Sequence, residues 1–156
     1  MSFIGIKGPK WLSSTQWAMP ALIIVSVWRG LGFNIVIFLA GLQGIPDVYY
    51  EAARIDGAPS WNQFWRITLP LLSPTTFFVI IIQVIWSFQV FDQVFIMTEG
   101  GTARSTSVVV HYLYQNAFQY FKMGYGSAMA YVLFAAIFLA TLIQVWRAKT
   151  WVHYSI

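Results

Sequence analysis

Hydrophobic residues form three long runs along the chain, separated by two more polar stretches. The runs extend from about Trp17 to Leu42, from Thr75 to Met97 and from Ser127 to Trp146. A helix needs roughly 20 predominantly apolar residues to cross a hydrocarbon core about 30 Å thick, and each run approaches or exceeds that length. The pattern therefore predicts an all-α, polytopic membrane protein with three transmembrane helices.

The first run contains polar residues near its middle, in the segment "VWRGLGFN". A charge such as that of Arg29 costs at least ~2.5–3.5 kcal/mol at the centre of a membrane helix, so we expect its side chain to face protein or water. The alternative is a helix that breaks near Gly30 and lets Arg29 reach outward to the interface.

The polar stretch between the first two runs, "YYEAARIDGAPSWNQFWRITLP", predicts two short helices. Pro46 and Asp47 are favourable at the start of the first helix. Gly57 favours a left-handed stop at its end. Ser60 and Gln63 have the spacing of a capping box at the start of the second. These local features leave open whether the stretch is a surface connector or a docking element.

Polar side chains recur in the second run, in the segment "QVIWSFQVFDQ". Gln89, Asp92 and Gln93 follow helical spacing, which predicts one common face with Trp86 a turn earlier. Amides and a carboxylate beside an aromatic ring suit a carbohydrate, so we predict that these four residues line a substrate path. The alternative is that they bond neighbouring helices.

Composition agrees with a membrane protein: 58% of the residues are hydrophobic and 9% are charged, against roughly 45–50% and 25% in soluble domains. The Lys and Arg residues are scattered, so we expect no nucleic-acid partner. The absence of cysteine from the sequence excludes disulfides and thiolate metal sites. The first residues, "MSFIGIKGPKWLSS", do not have the apolar core of a signal peptide, and we expect insertion through the internal spans.

Motifs for catalysis are not found in the sequence. There is no phosphate-binding G-x-x-x-x-G-K-[ST] pattern, so we expect no ATP hydrolysis by this chain. There is no nucleophile elbow or zinc motif, and His111 and His153 lie far apart without carboxylates at metal spacing. We predict no catalytic residue, no metal site and no cofactor bound by the chain, which disfavours an intramembrane enzyme.

The stretch "EAARIDGAPSWNQFWRITLP" resembles the cytoplasmic signature loop of ATP-binding-cassette importer permeases. Its flanks, "GLQGIPDVYYEAA" and "FDQVFIMTEGG", are similar to the carbohydrate-uptake class of maltose-type permeases. The positions that match the loop pattern are Glu51, Ala52, Ala53, Asp56, Gly57, Ala58, Phe64, Ile67, Leu69 and Pro70.

The resemblance implies that residues 46–70 form a cytoplasmic coupling loop that docks on a separate ATPase subunit. It implies three protein partners: that ATPase, which carries the ATP, a second permease subunit and an extracytoplasmic solute-binding protein. The chain would lie in the lipid bilayer of the inner membrane and move a sugar or related polar solute by alternating access. The contacts with the ATPase would involve Glu51, Ala52, Ala53, Asp56, Gly57 and Ala58.

The resemblance also implies an orientation, with the loop and the C-terminus in the cytoplasm. Charge alone does not decide it, because the predicted segments on the two sides carry four Lys or Arg residues each. Permeases of this class usually have six or more spans, and the three predicted here match the C-terminal half, so we expect a fragment of a longer permease. The alternative is a small membrane scaffold whose 46–70 loop binds another cytoplasmic protein.

A second loop follows the second span and contains an aromatic run from His111 to Phe121. Two interpretations remain open for it. It lies along the membrane interface, or it contacts the solute-binding protein.

Overall fold

A computed structural model describes residues 11–99 and 105–149. Within those ranges the chain forms helices, turns and irregular segments but no strand, which confirms the all-α prediction. Two helices end in π-helical turns, which we call π1 and π2. In chain order the elements are α1 Ala18–Gln43, α2 Val48–Ile55, α3 Ser60–Gln63, π1 Phe64–Thr68, α4 Leu69–Leu71, α5 Ser73–Phe88, α6 Asp92–Met97, α7 Val109–Tyr114, π2 Gln115–Gln119 and α8 Met123–Ala148.

Helices α1 and α8 are long and apolar enough to cross a membrane. Each has 26 residues, with mean hydropathies of 2.1 and 2.2 in their most apolar windows, and a helix of this length rises about 39 Å. Helix α5 has 16 residues and rises only about 24 Å. It passes the same test only together with the helical segment Ser60–Leu71, from which it is bent by 60°. The part of the chain that the structure describes therefore contains two candidate spans, or three if the bent pair counts as one.

The second apolar run does not form one continuous helix. Helix α5 ends at Phe88, and α6 begins at Asp92. Between them the Gln89 backbone N–H donates to the Trp86 carbonyl at 3.1 Å, a turn tighter than the α-helix. The prediction that Gln89, Asp92 and Gln93 share one helical face is therefore wrong. Asp92 instead opens a new helix, where an acid is favourable next to the positive end of the helix dipole.

One compact unit contains the start of α1 together with the last residues of α5, α6, α7, π2 and the first half of α8. Its centre is aromatic: the ring of Tyr114 lies 5.1 Å from that of Phe91 and 5.3 Å from that of Phe95. His111 is 2% exposed and its ring lies 6.5 Å from Phe91. The run from His111 to Phe121 therefore begins inside this core, and its exposed residues fit either of the two interpretations.

The other unit contains the second half of α1, the 46–70 loop, most of α5 and the end of α8. Helices α1 and α5 come very close where Gly41 faces Thr75. A Cβ on Gly41 would lie 2.5 Å from Thr75 Oγ1 and 3.0 Å from Leu72 Cδ2, so only hydrogen fits there. Farther along the same pair of helices, Gln83 Nε2 donates to Asn34 Oδ1 at 2.7 Å. The contact at Gly41 fixes the helix ends from which the loop departs, and the Gln83–Asn34 bond joins the same two helices farther from the loop.

The close contact at Gly41 leads to a stability prediction. We expect Gly41→Ala to lower the thermal unfolding midpoint in detergent, because overpacking typically costs about 1–3 kcal/mol, more than the ~1 kcal/mol gained from helix propensity. Gly32→Ala is the matched control on the same helix, since a Cβ there meets nothing within 4 Å, and it should raise the midpoint slightly. Equal shifts of the midpoint in the two variants would contradict the close packing at Gly41.

Candidate coupling loop and polar cluster

The first helix of the loop ends in a Schellman motif centred on Gly57. The Ala58 N–H donates to the Ala53 carbonyl at 2.9 Å, and the Gly57 N–H donates to the Arg54 carbonyl at 3.0 Å. This pair of bonds requires a left-handed residue between them, and Gly57 has φ +72°. The left-handed stop predicted at Gly57 is confirmed. A Cβ there would meet nothing within 4 Å, so the glycine is required by backbone conformation and not by space.

The second helix of the loop starts differently from the prediction. Pro59 occupies the N-cap position with extended backbone, and no side chain caps the helix. The Ser60 residue is already helical, and Gln63 Nε2 donates to the Ala58 carbonyl at 2.8 Å. The predicted capping box between Ser60 and Gln63 is therefore wrong. The Gln63 bond instead ties the start of the second helix to the turn that ends the first.

A hydrogen bond inside the loop holds one side of α2. The Tyr50 hydroxyl and Thr68 Oγ1 are hydrogen-bonded at 2.9 Å, and Thr68 is buried. Ala53 is also buried, so of the two alanines in the E-A-A pattern only Ala52 is exposed. One face of α2 is thus held by the chain itself.

The opposite side of the loop is open. Glu51, Ala52, Asp56 and Gly57 are exposed, and Ala58 is half-buried. Sequence reasoning missed three exposed apolar residues around them: Val48, Ile55 and Trp61 are 67%, 87% and 70% exposed. The sequence feature that could have indicated this surface is Ile55 next to the polar D-G turn, because a bulky aliphatic side chain at a turn is unfavourable in water unless a partner covers it. Apolar side chains this exposed in a polar loop are available for contact with a partner.

A cluster of polar side chains joins α1 to the start of α6. Arg29 Nη1 donates to Asp92 Oδ2 at 2.8 Å, forming a salt bridge. The Ser26 hydroxyl forms a short hydrogen bond with the side-chain oxygen of Gln93. Ser26 and Arg29 are three residues apart on α1, so they share a face that meets two consecutive residues of α6. We call these four residues the polar cluster.

The polar cluster explains the charge in the first run. Helix α1 continues without a break through Gly30, so the helix-break alternative is wrong. Arg29 instead forms a salt bridge with the acid of the second run, and 65% of its side chain is exposed. Sequence spacing did not connect Arg29 with Asp92, because the contact depends on the break between α5 and α6 at residues 89–91.

The four residues predicted to line a substrate path are placed in three different ways. Trp86 lies in the last turn of α5 and is 45% exposed. Gln89 lies in the turn after α5 and is exposed. Asp92 and Gln93 are brought together by their bonds to α1, with 59% of the Asp92 side chain and 65% of the Arg29 side chain exposed. The exposed amide of Gln89 and carboxylate of Asp92 are therefore close to Trp86 in sequence, but the break between α5 and α6 separates them from its helix.

Metal-binding side chains do not form a cluster in the described part of the chain. Within residues 11–99 and 105–149, no three or more His, Asp or Glu residues come close enough together to hold a metal ion. His153, the second histidine of the sequence, lies outside these ranges.

Residues 1–150 match the family described as binding-protein-dependent transport system inner membrane component. The probable ABC transporter permease protein YesP of Bacillus subtilis is 43% identical, over 98% of this chain and 50% of the relative. The sulfoquinovosyl glycerol transport system permease protein SmoG of Agrobacterium fabrum is 39% identical, over 94% of this chain and 48% of the relative. The chain thus spans about half the length of these curated relatives.

A solved structure has the same fold. It is the crystal structure of a bacterial ABC transporter involved in the import of the acidic polysaccharide alginate. One of its chains superimposes with a TM-score of 0.84 at 25% identity, over 95% of this chain and 52% of that chain.

Proposed function

Because this chain belongs to the binding-protein-dependent transport system inner membrane component family, we propose that it is part of the permease of an ATP-driven importer. Its role is to provide the path of a solute through the membrane and to change conformation when a separate subunit hydrolyses ATP. The chemistry of ATP hydrolysis belongs to that partner. The permease itself makes no covalent change to the solute.

The observation that carries this proposal is the construction of the 46–70 loop. A helix that docks on the ATPase and transmits its movement must be short and rigid. Helix α2 ends in two backbone hydrogen bonds at Gly57, and the Gln63 side chain ties α3 to the same turn. It must also offer a surface, and Glu51, Ile55 and Asp56 are exposed at its tip. Apolar burial of Ile55 supplies affinity, while the two carboxylates accept hydrogen bonds from the partner and set the register.

The proposed partners are an ATPase subunit bound at this loop, a second permease subunit and an extracytoplasmic solute-binding protein. The direct test is purification of the assembled transporter through the permease. We expect the ATPase to co-purify and its activity to rise when the solute and the binding protein are added. A permease chain that retains no ATPase under these conditions would favour the scaffold function instead.

We propose a carbohydrate as the class of solute. The names of SmoG and of the alginate importer both refer to sugar-containing solutes. In this chain the exposed polar groups of Gln89 and Asp92 and the half-buried amide of Gln93 suit hydroxyl groups, and the Trp86 ring offers an apolar face. Because Arg29 and Asp92 neutralise each other, this group of side chains has no net charge, which favours an uncharged sugar over an acidic one.

The proposed orientation leads to a labelling prediction. The sequence has no cysteine, so single cysteines can be placed at Ser60, Glu99 and Lys149, all of which are exposed. A membrane-impermeant thiol reagent added to intact cells should label Glu99→Cys and leave Ser60→Cys and Lys149→Cys unlabelled. All three should react in opened membranes, which controls for reactivity. Labelling of Ser60→Cys in intact cells would reverse the orientation and remove the coupling loop from the cytoplasm.

A further inference from the structure

The turn between π2 and α8 holds a phenylalanine in the left-handed conformation. Phe121 has φ +54°, and its side chain and backbone together are 82% exposed. A bulky side chain is strained there, whereas glycine or asparagine adopts this conformation with little cost. Within this chain the strain is not offset by burial of the ring.

The conformation at Phe121 is fixed by the backbone around it. The Tyr120 N–H donates to the Gln115 carbonyl at 2.9 Å, and the Lys122 N–H donates to the Asn116 carbonyl at 2.8 Å. On the other side, Gly126 packs so closely on Ala117 that a Cβ would lie 2.7 Å from the Ala117 Cβ. The turn is therefore pinned at both ends, and it holds the Phe121 ring away from the chain's own core.

Other exposed aromatic residues surround this position. Phe118, Tyr120 and Tyr125 are 57%, 51% and 53% exposed, and with Phe121 they form what we call the aromatic rim. The rim also includes the exposed Lys122 in its sequence, directly before α8, which is one of the two long candidate spans. Aromatic rings together with a lysine at the end of a span have the composition of a membrane–water interface.

We propose that the aromatic rim inserts into the lipid interface at the start of α8, with the Phe121 ring as its deepest point. Lipid is a partner that is always present, so it offsets the backbone strain at Phe121 permanently. A protein that binds and leaves during transport would return the ring to water in each cycle. The rim is also continuous with the apolar surface of α8, which is exposed along most of its length.

Spin labelling tests the insertion directly. Phe121→Cys would be labelled with a nitroxide in the assembled, cysteine-free transporter, reconstituted in phosphatidylcholine–phosphatidylglycerol vesicles. Glu99→Cys is the matched control, because Glu99 is also exposed and left-handed, with φ +48°. We expect collisions with oxygen to exceed those with a water-soluble nickel chelate at Phe121, and the reverse order at Glu99.

Three other results would overturn the proposal. The first is a label at Phe121 that is more accessible to the nickel chelate than to oxygen. The second is a label that becomes shielded only when solute-binding protein is added. The third is a label shielded from both probes, which would place the ring against protein.

A stability comparison provides a second test that does not depend on labelling. Phe121→Asn relieves the strain but removes the ring, so in vesicles the thermal unfolding midpoint should fall relative to the unchanged transporter. Glu99→Asn relieves strain without removing an inserted ring, and its midpoint in vesicles should rise. A rise for Phe121→Asn as large as that for Glu99→Asn would refute insertion. Neither test depends on transport activity, so both can be decided even if the proposed solute is wrong.

Discussion

Replacing Gly57 with alanine is expected to uncouple ATP hydrolysis from solute import in the assembled transporter. The added methyl group meets nothing within 4 Å, so the whole effect comes from forcing φ +72° on an ordinary residue. That costs roughly 1–2 kcal/mol, and 1.4 kcal/mol corresponds to a tenfold change in an equilibrium. We expect solute-stimulated ATPase activity to fall about tenfold, and Gly57→Val to fall further because its β-branched side chain is less tolerant of this conformation.

The matched control at the same position is Gly57→Asn. Asparagine adopts the left-handed conformation more easily than alanine, so its side chain is larger but its backbone cost is smaller. Stimulation should therefore decrease in the order glycine, asparagine, alanine, valine. A decrease that followed side-chain size instead would indicate a steric contact at Gly57 and contradict the backbone explanation.

Charge at the loop is tested separately. Glu51→Lys reverses an exposed carboxylate without touching the Schellman bonds, so it should reduce co-purification of the ATPase while the permease itself stays folded. If solute-stimulated ATPase activity were unchanged in both Glu51→Lys and Gly57→Ala, the assignment of residues 46–70 as the coupling loop would be contradicted.

Removing the charge of Asp92 is expected to reduce the amount of assembled permease in the membrane. The salt bridge to Arg29 neutralises a guanidinium in the middle of α1, and an uncompensated charge there costs about 2.5–3.5 kcal/mol on insertion scales. We expect Asp92→Asn to lower assembly at least severalfold. The double variant Arg29→Gln with Asp92→Asn removes both charges, and assembly should recover because no charge is left unpaired.

The double variant also separates packing from solute binding. If Asp92 only compensates Arg29, recovered assembly brings normal sugar stimulation of the ATPase with it. If Asp92 lines the substrate path as proposed, the double variant assembles but requires a higher sugar concentration for half-maximal stimulation. Normal assembly and normal stimulation of the single variant Asp92→Asn would contradict both roles.

The neutrality of the polar cluster adds a selectivity test. Arg29→Gln alone leaves the Asp92 carboxylate unpaired, so binding of acidic sugars should weaken more than binding of neutral ones. Stimulation would be compared for a neutral and an acidic oligosaccharide of the same length. Equal changes for both would place Asp92 away from the solute.

The features that depend on local physics could be predicted from the residues alone. Runs of apolar residues are sufficient to predict long membrane helices, because lipid leaves a polar backbone no alternative to internal hydrogen bonds. Helices α1 and α8 appear where two of the runs predicted them. The left-handed stop at Gly57 was equally local, since only the backbone of that residue and two hydrogen bonds decide it. The signature loop also indicated the family from the sequence alone.

Which polar residues meet could not be predicted in this way, because it depends on how the helices pack. The second apolar run has helical periodicity throughout, and nothing in its spacing marks residues 89–91 as a break. The break places Asp92 and Gln93 against α1, where Arg29 and Ser26 bond them. A predicted helical face of three side chains was therefore replaced by contacts between residues more than sixty positions apart. Such pairings depend on how separate helices pack, and the energy of a buried or membrane-embedded charge makes that packing decisive.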